Sequence, residues 1–229
     1  MDDFTIVDER LTTALDNLRY VNRWLGGYAA TMKALAPLLH AWAPGRRLRV
    51  LDLASGAADF PAYLVGWAAR RGREVEVVGL DANPVTVAYA RHALDRDVPA
   101  SLRPRIRVDV GDALATPYDA EAFDVCVVTH FLHHLAHDEA VALLGEMRRV
   151  ARHGFIVNDL HRHPLAYYGI LALATALPVS PMFRHDGPIS VLRGFTRAEL
   201  RALAEDCGLE RYDVRWHWAF RWTLTALDC

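Results

Sequence analysis

The stretch Arg47-Leu48-Arg49-Val50-Leu51-Asp52-Leu53-Ala54-Ser55-Gly56-Ala57-Ala58-Asp59, "RLRVLDLASGAAD", runs from an apolar segment into a loop of small residues. Residues 47–54 read as a buried strand, and the small residues after it let a backbone approach a ligand closely. Outward from this unit the pattern repeats. "FPAYLVGWAARR" (60–71) predicts a helix, "EVEVVGLDA" (74–82) a second strand and Pro84 to Leu94 a helix. "RIRVDVGDA" (105–113) and "FDVCVVTH" (123–130) follow as strands, "DEAVALLGEMRRVAR" (138–152) as a helix and "GFIVNDL" (154–160) as a fifth strand. Five apolar, β-branched strands alternating with helices argue for a parallel sheet covered on both faces.

Both ends depart from this rhythm. From Asp8 to about Ala43 the spacing of Leu11, Leu15, Leu18, Val21 and Leu25 is helical, with Gly26-Gly27 as a break and a second helix towards Leu39. At the other end, "TRAELRALAEDCG" (196–208) predicts a helix with Thr196 and Glu199 as a capping box and Gly208 as its stop. "LERYDVRWHW" and "FRWTLTALD" then read as two tightly joined strands, an antiparallel ending. The expected organisation is one domain over 1–229: a helical cap (1–46), a core (47–160), a lid (161–195), and a last helix with antiparallel strands (196–229).

Composition narrows the function. The chain is 52% hydrophobic and 24% charged, which is globular, and its net charge of −2 gives no footprint for nucleic acid. Three cysteines without CxxC spacing fit reduced thiols, and "MDDFTIVDER" has no apolar run of a signal peptide, so a cytoplasmic protein is expected. Pro164 to Phe183 is twenty residues without a formal charge, but Pro178 and Pro181 interrupt it. A buried helix or substrate lid is expected there, with no stable membrane insertion; transient membrane contact and oligomeric state are left open.

In doubly wound sheets ligands bind beyond the carboxyl ends of the strands. The first such end offers Asp52, Ala54, Ser55, Gly56 and Asp59, which is not GxGxxG. Two carboxylates suit a cationic ligand better than a pyrophosphate, and this argues against a nicotinamide oxidoreductase. Asp81 in "GLDANP" can accept both ribose hydroxyls, and Asp112 in "GDA" can accept from an adenine amino group.

"VLDLASGAAD", "VVGLDANP", "VDVGDALATP" and "FDVCVVTHFLHHL", in this order, resemble class I S-adenosylmethionine-dependent methyltransferases. The resemblance implies a Rossmann-like α/β fold with a seven-stranded, mostly parallel sheet. It also implies S-adenosylmethionine as cofactor and S-adenosylhomocysteine as product. Carried over, Gly56 and its neighbours pack under the cofactor, Asp81 with Ala82 holds the ribose, and Asp112 with Ala113 addresses the adenine. Asp52 and the His130 backbone lie near the methionine end, and Arg23 in "NRWLGG" meets its carboxylate. Ala54 and Ala58 replace glycines of the family loop. "NRWLGG", "ASGAADFP", "NDLHRHPLAYYG" and "RHDGPISVLRGFTRAEL" further resemble a bacterial small-molecule branch linked to polyketide, alkylresorcinol or quinol pathways.

"THFLHHLAHDE" (129–139) gathers four histidines, spaced as on one helical face, which is a metal-binding pattern. His130 ends a strand, however, and Asp138 is expected to begin a helix, so the four do not share one face; His137 is expected in the connection, and no metal is expected. Leu132-His133-His134-Leu135 is similar to the "LHDW" run that carries the general base in plant phenolic O-methyltransferases, which puts His133 at the base position with His134 beside it. A phenol of pKa about 10 loses its proton more readily to an imidazole of pKa about 6.5. Tyr167, Met182, Phe183 and His185 are candidates for lining a hydrophobic acceptor pocket. The expectation is O-methylation of a hydrophobic, phenolic or quinol-like molecule. C-methylation of a quinone or polyketide precursor and a non-catalytic cofactor-binding module are the alternatives.

Overall fold

The computed structural model describes residues 26–43, 45–176 and 181–227. Helix α1 (Gly27–Ala41) leads into β1 (Leu48–Leu53), α2 (Asp59–Ala69), β2 (Val75–Asp81), α3 (Pro84–Asp97) and β3 (Ile106–Val110). Then come β4 (Val125–Thr129), a short 3₁₀ turn (Leu132–His134), α4 (His137–Val150) and β5 (Gly154–Leu160). The chain continues through α5 (Pro164–Ala176), α6 (Pro181–Arg193), α7 (Arg197–Asp206), β6 (Asp213–His217) and β7 (Arg221–Leu227).

The seven strands form one sheet in the order β3-β2-β1-β4-β5-β7-β6. β1 to β5 pair in parallel, and β7 runs antiparallel to both β5 and β6. The order reverses between β1 and β4, which places the binding crevice outside their carboxyl ends. The expected seven-stranded fold is therefore present.

The two-residue period of the strands divides the core. Val50, Val77, Val108, Val125, Val127 and Ile156 pack towards α1, α2 and α3. Leu51, Leu53, Leu80, Cys126, Val128 and Val157 pack towards α4 and α7. Helix starts follow local chemistry. Asn83 caps α3 by accepting from the Val85 and Thr86 N–H groups, with Pro84 as first residue. Thr196 and Glu199 form the expected capping box on α7, and Gly208 stops the chain after it at φ 69°.

Three expectations are corrected. The third strand ends at Val110, short of 113, because Gly111-Asp112-Ala113 turns away. α4 begins at His137, which joins the helix and bonds Asp206, because the Glu139 carboxylate reaches back to the Ala136 N–H and sets the start one residue earlier. α5 is not buried: Leu165 and Tyr168 are 66% and 65% exposed, and Ala174 is the one buried residue on its described face. It packs mainly against α6 and so lies outside the sheet layers. Among the described residues no helix is long and apolar enough to cross a membrane. The helical segment expected before Gly26 lies outside the described residues.

Candidate active site

The loop after β1 is held by its backbone N–H groups, two of which bond to the end of β2. Ser55 N–H donates to Leu80 C=O, Ala58 N–H to Ser55 C=O, and Gly56 N–H to Asp81 Oδ2 at 2.9 Å. Ala54, Gly56 and Ala58 all adopt positive φ, at 51°, 53° and 55°. The loop thus keeps a glycine-type path although two of its residues are alanine, at a cost of about 1–2 kcal/mol for each such residue. Gly79 of β2 makes room for the loop, since a Cβ there would stand 2.6 Å from Ser55 Oγ. A Cβ on Gly56 would meet nothing within 4 Å, so that position faces open space.

Three carboxylates border this space. Asp52, at the end of β1, is 2% exposed, and among the described residues its Oδ1 has no hydrogen-bond partner. Burial, then the negative charges of Asp59 and Asp81, push its carboxyl well above the usual range. Asp81 is also raised by burial, offset in part by N–H donors from Asn83 (3.0 Å) and Gly56. Each of its oxygens keeps further acceptor capacity for a hydroxyl pair. Asp59 accepts from Tyr28 Oη at 2.6 Å, and Tyr28 stacks on Tyr63 with centroids 4.7 Å apart. Neither Asp52 nor Asp81 caps a helix, because Asn83 does so for α3 and α2 starts without a side-chain cap. A buried, unpartnered, mutually repelled carboxylate beside an open glycine fits a cationic ligand, as the ammonium and sulfonium of S-adenosylmethionine are.

Of the other candidates, Ala82 is exposed beside Asp81, and Ala113 is buried. Asp112 lies on the turn after β3, and its Oδ1 accepts from Leu114 N–H within that turn. His130 has φ 54° and donates its backbone N–H to Asn158 C=O; burial, and next the Arg221 charge, hold its imidazole well below the usual range. His133 is 6% exposed, with Nδ1 2.7 Å from Asp159 Oδ1 and Nε2 buried without a hydrogen-bond partner among the described residues. The ring of His134 lies 4.2 Å from that of His133. Among the described residues no three His, Cys, Asp or Glu side chains are grouped as a metal site.

Tyr167 is half-buried against Tyr168, and His185 is exposed and paired with Asp186. Met182 and Phe183 stand in α6, with their side chains outside the described set, and Arg23 lies outside the described residues. Sequence reasoning passed over Tyr28, Asn158 and Asp159. The signal for the last two was the polar pair closing the apolar run of β5 at the sheet's carboxyl edge.

Comparison with known proteins bears on the fold. A family model described as a methyltransferase domain matches residues 50–154. A demethylmenaquinone methyltransferase of Roseiflexus castenholzii is 30% identical over 125 residues, 53% of this chain and 47% of that protein. The chain thus spans about half the length of the curated relative it matches. An S-adenosylmethionine-dependent methyltransferase from Aquifex aeolicus superposes with TM-score 0.63 at 16% identity, covering 93% of this chain and 97% of that one. Magnesium protoporphyrin IX methyltransferase from Synechocystis, with bound S-adenosylhomocysteine, gives TM-score 0.63 at 16% identity, covering 99% and 100%. A methyltransferase-domain model thus matches residues 50–154, and the described chain shares its fold with these two solved methyltransferases.

Proposed function

We propose that the protein transfers a methyl group from S-adenosylmethionine to a hydroxyl of a hydrophobic, phenolic or quinol-like small molecule, with His133 as general base. The observation that carries the proposal is the buried His133 imidazole. It stands on the turn that follows β4, the strand paired with β1, with Nδ1 engaged and Nε2 without a hydrogen-bond partner among the described residues.

Asp52, Asp59 and the loop Ala54-Ser55-Gly56 hold the methionine end, Asp81 with Ala82 the ribose, and Asp112 with Ala113 the adenine. The His130 backbone borders the methyl-bearing end. When bound, the cofactor supplies an electrophilic methyl on a sulfonium, and the acceptor oxygen must approach it in line at about 3–3.5 Å. Nε2 of His133 takes the hydroxyl proton as the oxygen becomes nucleophilic, and general-base catalysis of this kind contributes about 10²–10⁴-fold. The demethylmenaquinone methyltransferase relative supports a quinone-type ring among the acceptors.

The test is mass-spectrometric methyl transfer to a panel of phenols, alkylresorcinols, quinols, carboxylic acids and amines, with product connectivity by NMR. An O-methyl phenol or quinol is expected, and His133→Ala is expected to lose about 10²-fold or more in kcat. A product methylated at ring carbon favours C-methylation. Transfer only to amines or acids discards this acceptor class.

A further inference from the structure

The two-residue period of β5 sends neighbouring side chains to opposite faces of the sheet. Asn158 turns to α1, where its amide donates to Gly27 C=O at 2.7 Å and to Thr31 Oγ1 at 2.9 Å. Asp159 turns to the Leu132–His134 turn. Its carboxylate accepts from the His133 backbone N–H at 3.2 Å and from the Leu160 N–H at 2.6 Å. The same Oδ1 lies 2.7 Å from His133 Nδ1. Asp159 is 1% exposed and His133 6%, so water does not compete for these contacts.

This arrangement fixes a proton. Asp159 Oδ2 already accepts from the His133 N–H and Oδ1 from the Leu160 N–H, so both oxygens of this carboxylate act as acceptors. An accepting oxygen needs a donor opposite it, so Nδ1 carries a hydrogen. In the neutral ring the lone pair is then on Nε2, which is buried and has no hydrogen-bond partner among the described residues. A ligand's hydroxyl would satisfy this buried acceptor. The charged and titratable neighbours are His130 and His134 from the same connection, His161 after β5 and Arg221 on β7. Arg184, His185 and Asp186 stand on α6, which packs against the turn. Of these, burial and the Arg221 charge keep His130 neutral.

We propose that Asp159 is a positioning residue that fixes His133 in its Nδ1–H tautomer, so that Nε2 receives the acceptor's proton. The inference rests on the hydroxyl reading above. In the step, the acceptor O–H bond breaks, its proton moves to Nε2, and the electron pair stays on oxygen. The ring becomes an imidazolium whose new charge faces Asp159.

Two measurements on the full chain test it. ¹⁵N NMR of histidine-labelled wild type reads the tautomer without turnover: protonated Nδ1 and unprotonated Nε2 are expected for His133, and an Nε2–H form would overturn the assignment whatever the acceptor. Asp159→Asn is then assayed with the best hydroxyl acceptor. It is expected to lower kcat about 10²-fold or more and to move the basic-group limb of the pH profile to lower pH, as loss of the carboxylate weakens the base. Affinity for S-adenosylhomocysteine should stay within about threefold of wild type. Asp159→Glu should recover part of the rate. An unchanged kcat, or a loss of cofactor binding equal to the loss of rate, would overturn the positioning role. Transfer to carbon alone, with the Nδ1–H tautomer observed, would instead overturn the hydroxyl reading.

Discussion

Replacing Asp52 by asparagine should stabilise the cofactor-free protein and weaken cofactor binding at the same time. The Asp52 carboxyl is 2% exposed, its Oδ1 is unpartnered, and Asp59 and Asp81 repel its charge. A carboxyl raised in the folded state binds its proton more tightly there than in the unfolded chain, so its ionisation favours unfolding. The penalty is absent below the unfolded pKa of about 3.9, grows as pH rises and levels off above the folded pKa. An asparagine at this position carries no such penalty. Relief of a buried, uncompensated group is worth about 1–3 kcal/mol, which at this chain length corresponds to a Tm higher by roughly 2–10 °C at pH 7. The gain should shrink as pH falls towards 4.

With cofactor present the advantage of the variant narrows. At one hundred times Kd, S-adenosylmethionine stabilises wild type by about 2.7 kcal/mol, and a tenfold weaker site retains only about 1.4 kcal/mol. Loss of one charge-assisted contact is enough for that tenfold change. Thermal melts at pH 4 and pH 7, with and without S-adenosylmethionine, decide the matter. A Tm for Asp52→Asn below wild type at pH 7 without cofactor, or an unchanged cofactor shift, would refute the reasoning, since Asp52 would then be a satisfied structural acid.

Two further predictions concern the backbone. Gly154 begins β5 at φ 102°, and a Cβ there would lie 1.8 Å from the Ala226 carbonyl oxygen of β7. Gly154→Ala should therefore cost about 3–5 kcal/mol in urea unfolding by prising β5 from β7, and a cost near zero would contradict this packing. Ala54 is strained at φ 51° and half-buried, so Ala54→Gly should raise stability by up to about 1 kcal/mol after the extra chain entropy of glycine is deducted. A lower Tm for that variant would mean that the alanine methyl contributes packing that outweighs the strain.

The alternation of Leu48, Val50, Leu51 and Leu53 with amphipathic helices made the layered sheet legible, because burial on two faces imposes its own period on the chain. Asn83-Pro84 and Thr196 with Glu199 are helix starts whose partners lie within three residues, so they too could be read locally. The apolar run 164–176 could not. Hydrophobicity predicts burial only if a surface is available, and α5 lies outside the sheet layers, packed mainly on α6.

The site divides in the same way. That Asp52, Gly56 and Asp81 stand at the carboxyl ends of β1 and β2 was readable, because each follows an apolar run whose length sets the strand end. The sequence by itself thus determined the layers, the strand ends and the acids set upon them, which are local patterns repeated along the chain. Only the tertiary structure decided that Asp159 meets His133 across 26 residues, that Tyr28 reaches Asp59 across 31, and that Asp52 Oδ1 has no hydrogen-bond partner among the described residues. Those facts depend on how β4, β5 and α1 are brought together, and contacts between distant segments leave no period in the sequence.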